Sequence, residues 1–194
     1  GMLEKGVEWL RRHQAEQVAW LKEFPNKGSK LPNKQFADDL DALIYMVLGD
    51  ADIVNVEMRD FLFRDRTHLS VYAKAVYGLA LHQQQQQESL TEILRNIEQF
   101  LVTDPENQTA YLQLPEGTAW WYWYGGEVEA NTWYLKLLSR VAPGEAKTAG
   151  LVKYLLNNRK HATYWNSTRD TALVVESFAD YIKGSGEGEP NMTV

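Results

Sequence analysis

Apolar residues recur at helical spacing along most of this chain, with polar breaks between the runs. Val7, Leu10, Val18 and Leu21 predict an amphipathic helix over residues 3–23. Pro25-Asn26-Lys27-Gly28-Ser29 breaks it, and Pro32-Asn33 leads into the next. Phe36, Leu40, Leu43, Ile44, Val47 and Leu48 predict a second helix that stops at Gly49-Asp50. Val54, Met58, Phe61 and Leu62 mark a short third one ending in Arg64-Asp65-Arg66. Thr67 is expected to cap the fourth helix, whose stripe is Leu69, Tyr72, Ala73, Val76, Leu79 and Ala80. The glutamine run at 83–87 reads as a solvated helix end or interhelical turn. Leu90, Ile93, Leu94, Ile97, Phe100 and Leu101 give a fifth helix, closed by Asp104-Pro105.

The period then changes. Ala110-Tyr111-Leu112-Gln113-Leu114, a Pro115-Glu116-Gly117 turn and Thr118-Ala119-Trp120-Trp121-Tyr122-Trp123-Tyr124 predict a small β-hairpin over residues 110–124. Helical spacing returns with Ala130, Trp133, Tyr134, Leu137, Leu138 and Val141, stopped by Pro143-Gly144. A seventh helix carries Leu151, Val152, Leu155 and Leu156. The eighth opens at Ser167, whose hydroxyl can accept a first-turn N–H, with Asp170 three residues on as a short variant of the capping box. Its predicted buried stripe is Thr171, Val174, Val175, Phe178, Ala179 and Ile182. Residues 184–194 have the composition of a flexible tail or linker. Eight helices with short connections predict an all-α domain of antiparallel helical hairpins over residues 3–183, with one inserted hairpin. No strict repeat is visible, so a curved or closed array is expected over a regular solenoid.

Composition narrows the function classes. The 194 residues carry a net charge of −6 and no basic run, which disfavours a nucleic-acid partner. No apolar stretch approaches the roughly 20 residues of a membrane helix. Cysteine is absent, which removes thiolate chemistry, disulfides and internal thioesters from this stretch. Gly1 ahead of Met2 reads as a tag remnant, so a piece of a longer protein is expected.

Few constellations point to chemistry. His13, His68, His82 and His161 have no helical i, i+4 histidine partner, and no glycine-rich phosphate loop occurs, so no metal or cofactor is expected. Asp38, Asp39 and Asp41, followed by Asp50 and Asp52, can be read as paired carboxylates for acid–base work on sugars. The stronger reading is structural: Asp38, Asp39 and Asp41 fall within the first two turns of a helix, where its dipole favours negative charge. The aromatic run places Trp121 and Trp123 on one strand face and Trp120, Tyr122 and Tyr124 on the other. One face is expected to pack on helices and the other to meet a partner, so Trp120, Trp121 and Trp123 are the candidate interface residues.

Two stretches carry a family resemblance. Val128-Glu129-Ala130-Asn131-Thr132-Trp133-Tyr134-Leu135 resembles the Val-Glu-Ala-Thr-x-Tyr-x-Leu helix start of the alpha-2-macroglobulin and complement thioester domains. Trp165-Asn166-Ser167-Thr168-Arg169-Asp170-Thr171-Ala172 is similar to that family's aromatic-x-Ser-Thr-x-Asp-Thr pattern. Their spacing also fits, and residues 69–81 resemble a further family helix more loosely. The Trp-Trp-Tyr-Trp-Tyr run looks like the large bacterial members. The resemblance covers residues 67–181 well and the earlier chain weakly.

It implies an α/α toroid inside a large secreted or periplasmic inhibitor that traps endopeptidases after bait cleavage. The family's Cys-x-Glu-Gln thioester motif has no counterpart here, and no histidine stands in residues 27–35, where an acyl-transfer histidine would fall. The resemblance therefore implies a non-catalytic helical fragment whose partners are neighbouring domains of the parent and, through it, target proteases. Two other functions stay open. One is a toroid-fold enzyme acting on polysaccharide or terpenoid substrates; the other is an interaction module using the Trp/Tyr hairpin.

Overall fold

The computed structural model describes residues 1–26, 28, 30–114, 126–160 and 162–186. Among these residues the chain is mostly helical, with one two-stranded antiparallel sheet. The elements are α1 (Met2–Glu23), α2 (Asp39–Asp50), α3 (Val56–Arg64), α4 (Val71–Gln83), α5 (Gln87–Glu98), β1 (Leu101–Asp104), β2 (Thr109–Leu112), α6 (Glu127–Val141), α7 (Ala146–Asn157) and α8 (Thr168–Ser185). They fall into two compact units, Gly1–Asn96 and Ile97–Val194.

The first unit is built on α4, which is buried on nearly every side from Val71 to Leu81. Ala73, Ala75, Gly78 and Ala80 keep its surface thin, so neighbouring helices approach closely. A helix apolar all round belongs in the middle of a core, and α2 packs along it. Asp38 caps α2 by accepting from the Leu40 and Asp41 N–H groups, each at 3.1 Å, while Asn55 caps α3 from Met58 N at 3.0 Å. The fourth helix starts later than expected. Ser70, not Thr67, is the cap, accepting from Ala73 N at 3.3 Å. Thr67 and His68 are held in a turn in which His68 N donates to Asp65 O, and the Asp39 carboxylate fixes the Ser70 N–H at 2.9 Å.

The buried face of α2 is also rotated from the predicted stripe. Leu40 and Val47 are exposed, whereas Asp41, Ala42, Ile44, Tyr45 and Leu48 are buried. Tyr45 turns the helix: its ring meets Tyr77 at 6.0 Å and its hydroxyl donates to Gln84 Oε1 at 2.5 Å. The glutamine run is the α4–α5 connection, and Gln83 donates to the Gly49 carbonyl near the end of α2 at 3.2 Å.

The second unit is built on α6 in the same way, with ten of its residues buried. α8 and α7 pack on it, and α7 also lies against β2. The sheet corrects the expected hairpin. β2 occupies part of the predicted first strand, but it pairs with β1 in the register Leu101↔Leu112 to Asp104↔Thr109. Residues 115–125, which hold the predicted second strand, lie outside the described residues. α5 ends at Glu98, so Phe100 and Leu101, read as helical from their spacing, belong to the approach to β1 and to the strand itself. Asp104 decides this: its carboxylate accepts from Glu106 N, Asn107 N and Asn107 Nδ2 at 2.7–3.1 Å, an Asx turn that sends the chain back.

Helix α8 starts at Ser167 as expected but buries Val174, Ser177 and Tyr181, leaving Val175, Ala179 and Ile182 exposed. It also runs on through Gly184-Ser185, where a tail was expected, to a left-handed cap at Gly186 (φ 75°). Gly184 is needed there because a Cβ would collide with the Ser139 carbonyl of α6.

Candidate functional site

The two stretches singled out by sequence lie in the second unit and meet. Residues 128–135 form most of the first three turns of α6, and residues 165–172 make the entry and first turn of α8. Glu129, whose side chain is 2% exposed, forms an ion pair with Arg169 across the two helices. Trp165 is buried; its Nε1 donates to Leu155 O at 2.8 Å and its ring meets Phe178 edge-on at 6.0 Å. Thr171 closes the entry from both sides, accepting from Trp165 N at 3.1 Å and donating to Ser167 O at 2.8 Å. Ser167 accepts from Asp170 N at 3.0 Å, the N-cap bond that its position predicted. Asp170 stands in the first turn, facing the positive end of the helix. Thr168 is the first helical residue and is exposed.

Around α6, buried polar groups are matched one by one. Asn131, fully buried, accepts from Leu112 N at 2.8 Å and donates to Glu127 O at 2.9 Å, so one amide ties β2 to the helix. Thr132 and Ser139 bond the carbonyls of Val128 and Leu135 one turn back. Lys136 reaches Glu176 at 2.8 Å and Asp180 at 3.3 Å on α8, and its ammonium lies 5.7 Å from the Trp133 ring centre. Tyr134 is fully buried with its hydroxyl 3.3 Å from Glu98 Oε1; burial and that carboxylate push its pKa up. Val128 is half-buried beside them.

A cleft of about 360 Å³ opens between the β1–β2 turn and α7. Pro105, Ala110, Ala146 and Ala149 give it apolar walls, and Lys147 and Lys153 stand at its polar edges. Its volume lies within the range of small-molecule sites. The lysines are engaged: Lys147 Nζ lies 2.6 Å from Glu98 and 2.9 Å from Glu145, and Lys153 donates to Gln108 Oε1 at 2.5 Å. Burial works to lower the pKa of Lys147, but the hydrogen bonds to the two glutamates outweigh it and hold the group above its ordinary value. Sequence reasoning missed this cleft. The available signal was Gly150, an isolated glycine inside a helical run, which marks a close approach. Here it lets β2 lie against α7.

Of the aspartates weighed as acid–base residues, Asp38, Asp39 and Asp41 stand at the start of α2 in the first unit. Asp38 is a cap, Asp39 accepts from Ser70 N, and Asp41 pairs with Lys34 Nζ at 2.7 Å while accepting from Asp38 N. Burial raises the pKa of both Asp39 and Asp41 against these favourable bonds. Asp50 ends α2, and Asp52 follows with a left-handed backbone (φ 59°). His13 stacks on Trp9 at 5.2 Å and His68 on Phe36 at 3.8 Å. Trp120, Trp121, Trp123 and His161 lie outside the described residues.

Among the described residues, no three His, Cys, Asp or Glu side chains gather to hold a metal ion, and no helix is long and apolar enough to cross a membrane. No known family model, curated protein or solved structure matches this chain.

Proposed function

We propose that this chain is the helical, thioester-domain-like part of a bacterial alpha-2-macroglobulin-like endopeptidase inhibitor. On this reading its helices belong to an α/α toroid in a secreted or periplasmic parent. The domain does no chemistry of its own and uses no metal or cofactor. It packs on neighbouring domains of the parent while the parent traps its protease. The observation that supports this best is the meeting of the two family-like stretches. They are 29 residues apart along the chain, counted from Leu135 to Trp165 and excluding both, yet the Glu129–Arg169 pair joins them.

The test is protease trapping by the full-length parent. Mixed with an equimolar endopeptidase such as trypsin, the parent should abolish cleavage of casein while the bound protease still cleaves a small chromogenic peptide. Casein cleavage that continues unchanged rejects the proposal. Loss of both activities also rejects it, because that is active-site blockade and not enclosure. A parent reading frame without β-sandwich domains ahead of residue 1 would reject it from sequence alone.

A further inference from the structure

The cleft between the β1–β2 turn and α7 lies within the second unit. Its apolar walls are made of small side chains, Pro105 and Ala110 on one side and Ala146 and Ala149 of α7 on the other. Their small size is what leaves about 360 Å³ open between the two elements.

The two lysines at its edges differ in what holds them. Lys147 stands between Glu98 and Glu145, at 2.6 and 2.9 Å, so its charge is answered twice. Lys153 is exposed and donates to Gln108 Oε1, a neutral amide, at 2.5 Å. A carboxylate in place of that amide would make a charge-assisted bond, about twice as strong as a neutral one. Gln108 is itself an unusual residue for its position. Its backbone is left-handed (φ 54°), a region where glycine or asparagine fits with less strain. The turn alone gives no reason for a longer amide there. What that length achieves is a bond across the cleft that parks Lys153 at its edge. Strain kept at one residue beside a cavity is a mark of functional sites.

The charges around the cleft also select the anion. Asp104 lines it with its carboxylate held in the Asx turn, and Glu98 and Glu145 flank Lys147. Three carboxylates therefore stand near two ammonium groups. A dianion such as a phosphate ester meets like charges there, whereas a single negative charge can be matched to Lys153.

We propose that this cleft binds a small monocarboxylate with an apolar body. The hydrocarbon part lies against Pro105, Ala110, Ala146 and Ala149, and the carboxylate takes the place of Gln108 on Lys153. The site is independent of protease trapping by the parent.

Titration of the isotope-labelled full chain with phenylbutyrate, followed by amide chemical shifts, should give saturable changes confined to residues 103–110 and 146–153. The expected Kd is about 0.1–1 mM for a ligand of this size. Phenylbutanol, which keeps the body and loses the charge, should bind about tenfold more weakly. Lys153→Met should bring the acid down to the level of the alcohol and leave the alcohol unchanged, while Lys153→Arg keeps the preference for the acid. Ala149→Leu should fill the cleft and remove binding of both. No saturable change up to about 10 mM phenylbutyrate overturns the proposal. So do equal affinities for acid and alcohol, a preference for the acid that survives in Lys153→Met, or binding that Ala149→Leu leaves intact. Tighter binding of phenyl phosphate than of phenylbutyrate would overturn the assignment to a monocarboxylate.

Discussion

Gly150→Ala tests the packing of the second unit, because two well-known effects oppose each other there. Glycine inside a helix costs about 1 kcal/mol relative to alanine, so the exchange at an open helical site should stabilise by that amount. At Gly150 the added Cβ would stand 2.9 Å from Ala110 N, 3.0 Å from Ala110 Cβ and 3.2 Å from Thr109 C. Two of these are backbone atoms of β2, which cannot swing aside as a side chain would. Overpacking of this kind costs about 1–3 kcal/mol, which leaves a net loss of about 1 kcal/mol after the gain in propensity. Gly6→Ala is the matched control, since α1 has open space at that position, and it should gain up to about 1 kcal/mol. Urea unfolding followed by far-UV circular dichroism at low micromolar protein separates the two signs. Amide exchange should quicken at β2 in Gly150→Ala and nowhere in α1. A Gly150→Ala chain stabilised as much as Gly6→Ala would refute the argument and show that α7 and β2 do not touch there.

Three further outcomes follow from the same unit. Ser167→Ala should lose about 0.5–2 kcal/mol in urea unfolding, whereas Thr168→Ala, at the exposed position next to it, should change little. Asn131→Ala strips the acceptor from the Leu112 N–H and should cost about 1–3 kcal/mol, with faster exchange of the Leu112 amide as its local sign. Lys147→Met removes a cation whose pKa is held above 10.5 by Glu98 and Glu145. A raised pKa means the folded state holds its proton more tightly than the unfolded chain. The contribution of Lys147 is therefore complete below pH 10.5 and lost as pH rises through the folded value. Stability curves of Lys147→Met and the unaltered chain should lie apart at pH 9 and converge above pH 10.5; a constant gap would refute the ion pairs.

Helix positions were legible because a 3.6-residue period survives whatever the partner is. Which face is buried was legible only where polar residues cover the other side. Helices α2 and α8 have apolar residues over more than half their circumference, so Leu40, Val47, Val175 and Ile182 looked as buried as Ile44 and Val174. In α2 packing chose between equivalent faces through Tyr45, whose ring meets Tyr77 and whose hydroxyl donates to Gln84. The cap of α4 was missed because Asp39, 31 residues away in sequence, holds the Ser70 N–H. The partner of β2 was missed because Phe100 and Leu101 continue the helical spacing of α5, and only the Asx turn at Asp104 reverses the chain. Nothing periodic reports such bonds.

The stretch 165–172 shows why a strong local signal identifies a domain more readily than an activity. Each of its prominent groups is spent on position. The Ser167 hydroxyl starts a helix, Thr171 ties the turn before it, Trp165 anchors that turn to the end of α7, and Arg169 answers the buried Glu129 of α6. A buried carboxylate without its cation is costly, and a helix start without its cap frays, so these residues constrain one another. Because its parts work only together, such a combination reports how the chain is held and not what it does. By the same logic the residues free to act are those the fold does not use.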